Sequence, residues 1–165
     1  MLSKAVQSAI NDQINAELYS AYLYLSMSAF CLATNRPGSA GWMRVQAQEE
    51  LGHAMKFFGY VNDRGGRAVL KAVAQPPAEF KSLLDIFQQA LGHEEEVTRK
   101  IHKLYEIASK ENDYATQVEL QWFITEQVEE EKNATEIVQQ LKMIGDQAAP
   151  LFMLDRHLGM RAGGK

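Results

Sequence analysis

Cysteine is almost absent from this chain: Cys31 stands alone among 165 residues. No disulfide can form within one copy, and zinc or iron–sulfur sites built from several thiolates are excluded. Proline is nearly as scarce, with four residues, two of them adjacent at Pro76-Pro77. Long stretches are therefore free to be helical. No run of about 18 apolar residues occurs, so no membrane-spanning helix is expected. Met1 to Asp12 is polar and lacks the apolar core of a signal peptide. The expected location is cytoplasmic. Positive charge is not in excess either: 17 Lys and Arg against 21 Asp and Glu leave a net charge of −4. That balance argues against nucleic acid as a partner and suits the handling of cations. The length is right for one domain with a sizeable core.

What is present is a set of long periodic stretches. Residues 3–33 contain no glycine or proline, and Ser3 can cap the start. Ile10, Ile14, Glu17, Ala21, Tyr24, Ser28 and Cys31 recur at the spacing of a buried helix face. Thr34-Asn35-Arg36-Pro37-Gly38 breaks the pattern. A second helix is predicted over 39–64, with Ser39 as its cap, Met43, Gln46, Glu50, His53, Phe57 and Tyr60 facing inward, and Gly65-Gly66 at its end. From Gly65 to Glu79 the period lapses. Extended, those residues reach about 45–50 Å, whereas a helix of about 28 residues is about 42 Å long. This connection can run the whole length of a bundle, and Val69, Leu70 and Val73 indicate that it packs against something. A third helix is predicted over 80–110 and a fourth over 113–144, separated by Asn112-Asp113. A short apolar segment follows at 150–160, and Arg161 to Lys165 is expected to be disordered. The predicted fold class is all-α: a four-helix bundle with one long crossover connection and a short fifth C-terminal helix.

Each of the four apolar stripes is interrupted near its middle by polar residues: Glu17 in the first, Glu50 and His53 in the second, Glu94 in the third, Gln127 and Glu130 in the fourth. Helices in register bring all six to one level, within about 5 Å along the axis. Glu50 and His53 are three apart and share a face; alone, such a pair also fits an ordinary surface. Four carboxylates in one core repel, and an ionised carboxylate buried without a partner is costly. No Lys or Arg on the stripes compensates. Either the acids are protonated, or the helices splay, or a multivalent cation sits among them. Oxygen-rich ligands with one imidazole suit iron or manganese, with zinc a competitor. Tyr24, two turns from Glu17, can donate a hydrogen bond or an electron, or simply fill the core. Glu49, Glu126 and Glu129 lie off the stripe beside Glu50 and Glu130, and form either a solvated acidic face or a second metal group. His93, His102 and His157 are expected at the surface or an interface. Trp42 and Trp122 are expected to be packing groups, and Cys31 a small buried apolar residue.

Asn15-Ala16-Glu17-Leu18-Tyr19-Ser20-Ala21-Tyr22, Glu49-Glu50-Leu51-Gly52-His53-Ala54, Glu94 in its helix, and Trp122-Phe123-Ile124-Thr125-Glu126-Gln127-Val128-Glu129-Glu130-Glu131 together resemble the prokaryotic non-haem ferritins, over essentially the whole chain. The resemblance implies a ferritin-like bundle whose ferroxidase centre binds two iron ions. Glu17, Glu50 and His53 would hold the first, and Glu50, Glu94 and Glu130 the second, with Glu50 bridging. Gln127 would lie near bound dioxygen, and Tyr24 beside the centre. Glu49, Glu126, Glu129 and Glu130 would form a third iron site. A homo-oligomeric shell of twenty-four subunits is implied, with the fifth segment toward a fourfold axis and Val69 and Leu70 against a neighbouring subunit. Bacterioferritins differ: they repeat Glu-x-x-His on the fourth helix, where this chain has Gln127-x-x-Glu130, and they carry a haem methionine where this chain has Leu51. No haem is expected. Rubrerythrins need further cysteine pairs, and mini-ferritins place their site between subunits.

The function expected is iron storage and detoxification: Fe(II) is oxidised to Fe(III) by dioxygen or peroxide and deposited as a ferric oxide mineral inside the shell. Two other readings stand beside it. One is a di-iron oxidase acting on an organic substrate, although the dense stripes leave no run of small residues to line a substrate pocket. The other is a non-enzymatic helical bundle, a binding module whose acids are solvated.

Overall fold

Residues 2–163 are described by the structure, a computed structural model. Five helices follow one another: α1 Lys4–Ala33, α2 Pro37–Asp63, α3 Leu83–Lys110, α4 Tyr114–Ile144 and α5 Ala148–Gly163. The all-α bundle with one crossover and a fifth helix agrees with the expectation from the sequence. Three of the long helices start on a local side-chain cap. Ser3 Oγ accepts from Val6 N at 3.2 Å, Ser82 Oγ from Asp85 N at 3.1 Å, and Asp113 Oδ1 from Thr116 N at 3.1 Å. Asn35 and Asn112 turn the two hairpins in the left-handed region, with φ of 56° and 53°, a conformation asparagine tolerates. The third helix begins at Leu83 rather than near Phe80, because Ser82 supplies the cap. Phe80 instead packs edge-on against Phe30, ring centroids 5.4 Å apart.

The second helix has no such local cap, and here the expectation fails. Ser39 lies inside the first turn. Pro37 occupies the first helical position, and Arg36, the formal cap residue, makes no side-chain bond. The missing acceptor arrives from α5. Asp155 Oδ2 accepts from Gly38 N at 3.0 Å, and Oδ1 accepts from Ser39 N at 2.8 Å and Ser39 Oγ at 2.6 Å. A carboxylate there also meets the positive end of the helix dipole. The contact requires glycine: a Cβ on Gly38 would fall 1.7 Å from the Asp155 carbonyl oxygen. The segment from Arg161 onward, expected to be disordered, continues α5 through Gly163; Gly164 and Lys165 lie outside the described residues.

Adjacent helices run antiparallel. Ser28 Oγ donates to Ala40 O at 2.9 Å near the turn joining α1 to α2, and Tyr60 shares a 2.9 Å hydrogen bond with Thr116 where the end of α2 meets the start of α4. The crossover runs back along α1, whose polar side chains bind its backbone. Asn11 Nδ2 donates to Arg67 O at 3.2 Å while Val69 N donates to Asn11 Oδ1 at 3.0 Å. With its amide nitrogen turned toward them, Asn15 reaches the Lys71 and Ala72 carbonyls at 3.3 Å. Ser26 Oγ donates to Pro77 O at 2.6 Å, and Lys71 pairs with Asp12. Val69 and Leu70, expected to pack, remain exposed within one chain.

The interior is split. One apolar cluster gathers Tyr24, Met27, Met43, Phe87 and Leu141; the other gathers Ile10, Phe57, Ile101, Leu120 and Phe123, with Phe57 and Phe123 stacked at 3.9 Å. The residues that interrupt the stripes fall in the gap between them. Among the described residues no helix is long and apolar enough to cross a membrane.

Asp155→Ala should cost about 1–2 kcal/mol through loss of the cap. Gly38→Ala, which forces α5 off the α2 terminus, should cost more. Thermal melts would rank the two, and both variants should speed amide hydrogen exchange in α5 while leaving α1 protected.

Candidate metal centre

Position along each helix decides what enters the polar gap, since helix lengths and hairpin turns fix the register. Glu17, Glu50 and Glu94 are each 1% exposed, Glu130 and Gln127 4%, and His53 6%. All six of the predicted residues are thus interior. Three of them converge: ligand atoms of Glu17, Glu50 and His53 lie within 4.8 Å of one another, the one such trio among the described residues. His53 Nδ1 stands 3.5 Å from Glu50 Oε2, and its ring is wedged edge-on against Trp122 and Phe123, at 5.4 and 6.0 Å. That packing limits the imidazole's freedom to rotate away.

The carboxylates are held by neutral donors rather than by cations. Gln13 Nε2 donates to Glu17 Oε1 at 2.8 Å, and Gln46 Nε2 to Glu130 Oε2 at 2.8 Å. Gln127 Nε2 donates to Glu94 Oε2, to the Glu94 carbonyl and to Thr98 Oγ1, each at 3.2 Å. The Tyr24 hydroxyl donates to Glu94 Oε1. Glu17 and Glu130 thus keep one oxygen free, whereas both oxygens of Glu94 accept a hydrogen bond. Glu50 is the exception: neither of its oxygens has a hydrogen-bond partner, and Glu17 Oε2 and Gln46 Oε1 are also buried and unpartnered. Native proteins seldom leave buried acceptors unsatisfied. A carboxylate with two free, buried oxygens at the middle of a group of acids is suited to a cation, and to bridging two of them.

Electrostatics agree. Burial, and then the neighbouring acid, push Glu17 and Glu50 well above the ordinary carboxylate range, Glu17 by Glu50 and Glu50 by Glu94. Burial also raises Glu94, against the hydrogen bonds from Tyr24 and Gln127. Glu130 is pushed up to about 7 by burial and Glu94, and partly relieved by Gln46. Burial and Glu94 raise the Tyr24 hydroxyl too, so Tyr24 is a proton-bearing donor here.

Residues outside the gap divide differently from expectation. Glu49 and Glu126 are partly exposed and Glu129 is exposed, and no trio forms among them at the separation found in the tripod. Glu49 is instead engaged by Arg161, whose Nη2 lies 2.6 Å from Glu49 Oε2. His93, expected at the surface, is buried: its Nε2 makes a 2.7 Å hydrogen bond with Ser20 Oγ, and burial depresses the imidazole to about 4. The reason is that α1 packs on that side of α3. His102 and His157 are exposed as expected, Trp42 and Cys31 are buried, and Trp122 is 41% exposed, lying between His53 and Lys56. The helical period of the sequence places Gln46 on the inward face of α2 without a role and does not single out Gln13. Their one signal was a place four residues before Glu17 and Glu50, on the same helix face.

Comparison with known proteins decides the family. A family model described as ferritin-like domain matches residues 7–144. The bacterial non-haem ferritin of Staphylococcus aureus is 42% identical over 161 residues, covering 98% of this chain and 97% of that protein. The chain belongs to the non-haem ferritins. The likeness extends to three dimensions. An open-pore ferritin from the hyperthermophilic archaeon Archaeoglobus fulgidus is 49% identical with a TM-score of 0.97, covering 98% of this chain and 99% of that one. An engineered closed form of the Archaeoglobus fulgidus ferritin is 50% identical with a TM-score of 0.96, covering 98% of each chain. This is a family of iron-storing ferroxidases, and the ferritin chain described here carries a buried Glu-Glu-His group of the kind iron binding needs.

The sign of the pH dependence follows from the raised acids. Between about 4.5 and 7 the folded, metal-free ferritin holds a proton on Glu130 that the unfolded chain has released. Stability therefore falls as pH rises through that window, by up to ~3 kcal/mol from Glu130 alone; the other raised acids add in the same direction. Urea midpoints measured across this range should decline with pH in metal-free protein, and Glu130→Gln should flatten the decline.

Proposed function

We propose that the polar gap is a two-iron ferroxidase centre lying within one subunit of a single ferritin-like domain. The observation that carries this reading is Glu50, with both carboxylate oxygens buried and unpartnered beside Glu17 and His53. Iron is the substrate. Glu17, Glu50 and His53 take one Fe(II), Glu50, Glu94 and Glu130 a second, and Glu50 bridges. Two Fe(II) ions give up one electron each. Dioxygen, accepting both with two protons, leaves as hydrogen peroxide, itself an oxidant for further Fe(II). Hard carboxylate oxygens stabilise Fe(III) over Fe(II). A single imidazole among exchangeable carboxylates leaves the product free to depart, hydrolyse and join a ferric oxide mineral. Tyr24 and Gln127 orient Glu94, Gln46 orients Glu130, and Gln13 orients Glu17. Glu49, Glu126 and Glu129, with Glu130, form a third, outer iron site.

The protein works as a homo-oligomer, a shell of twenty-four copies enclosing the mineral, in the cytoplasm. Support comes from apolar side chains exposed on several faces of one chain: Tyr22 and Leu25 on α1, Val69 and Leu70 on the crossover, Phe152 and Met153 on α5. Such surfaces signal partner contacts. No haem participates, since Leu51 stands where a haem ligand would be needed.

Addition of Fe(II) in air should raise the near-ultraviolet absorbance, and Glu50→Ala or Glu130→Ala should slow the initial rise by more than about tenfold. Unchanged initial rates would refute the ligand assignment. Gln46→Leu should weaken the second ion by about tenfold while sparing the first, resolved by Co(II) titration followed in the visible spectrum. Twenty-four copies of an 18.6 kDa chain should give a particle of about 450 kDa.

A further inference from the structure

The fifth helix ends on the metal centre's outer edge. Asp155 pins its middle to the start of α2, and six residues later Arg161 returns to α2 at Glu49, the residue before Glu50. The guanidinium lies over the Trp42 ring, 4.8 Å from its centroid. Its pairing with Glu49 is incomplete. Nη2 alone engages Glu49, at 2.6 Å, and Nη1 is buried without an acceptor. Both side chains are 29% exposed. A two-pronged arginine–carboxylate pair is strong, but a one-pronged, partly exposed pair holds its partner by about fivefold or less.

We propose that Arg161 is a tethered cation standing in for metal at Glu49. α5 keeps that carboxylate occupied, and a divalent cation takes it only by displacing the guanidinium, which shifts on the Trp42 ring as it leaves Glu49. Arg161 is thus a positioning residue acting through Glu49. It sets how readily the outer acids compete with the tripod for incoming ions, so that the first ions go to Glu17, Glu50 and His53. Its charge also reaches Glu130, whose ionised form it favours. The inference rests on the reading of the centre as a cation site.

Zn(II), which has no redox chemistry here, tests it by calorimetric titration of the assembled, metal-free protein. In wild type the tripod event should be strong and the outer event weak. Arg161→Gln should tighten the outer event about fivefold and leave the tripod event unchanged. Arg161→Lys, which keeps the charge, should behave as wild type, and in a Glu49→Gln background Arg161→Gln should have no effect. Trp42 emission, isolated by Trp122→Phe, should change as Zn(II) fills the outer site in the presence of Arg161 and not in Arg161→Gln. An outer event equally weak with and without Arg161, or an effect that persists without Glu49, would overturn the proposal while the tripod event stands. Absence of the tripod event from wild type itself would instead refute the reading of the centre.

Discussion

Four buried carboxylates with no lysine or arginine paired to them set the terms for the rest of this molecule. An unpaired charge in such a place costs several kcal/mol, and apolar clusters on both sides keep the surroundings poor in water. The chain answers with neutral donors. Three glutamines and a tyrosine each take one oxygen of Glu17, Glu94 or Glu130, and none neutralises an acid. A lysine in their place would neutralise an acid and, on the proposed reading, compete with iron for it. The centre is held in shape and left electrically unfinished.

Long helices are what make that arrangement tolerable. The two clusters grip the bundle above and below the acids, so the polar layer can be poor in stabilising contacts without loosening the fold. α2 and α4 stand farther apart than the hairpin partners, and long side chains such as Gln46 and Glu130 span the space. Room for ions is thereby created by helix spacing, in a bundle whose α1–α2 and α3–α4 pairs remain tightly packed.

Much of this was legible in the sequence because the relevant information is periodic and local. Helix period and length were enough to place Glu17, Glu50, His53, Glu94, Gln127 and Glu130 at one interior level. What escaped depends on which helix packs on which side. His93 lies off the α3 stripe and reads as exposed, yet Ser20 of α1 meets it. The cap of α2 is supplied by Asp155, 116 residues beyond Ser39, and no local pattern announces it. Gln13 and Gln46 look like ordinary interior positions until a neighbouring acid gives their amides a direction. Arg161 sits in a glycine-rich end whose composition suggests disorder, and its order comes from Glu49 and Trp42.

The crossover carries a consequence for assembly. Loops usually surrender conformational freedom when a partner docks on them, and that loss subtracts from affinity. Here the side chains of Asn11, Asn15 and Ser26 have already fastened the segment's backbone to α1, and the apolar tips of Val69 and Leu70 are turned outward on a fixed rail. In the proposed shell an adjoining subunit would meet a finished edge, because the ordering of this segment is completed during folding.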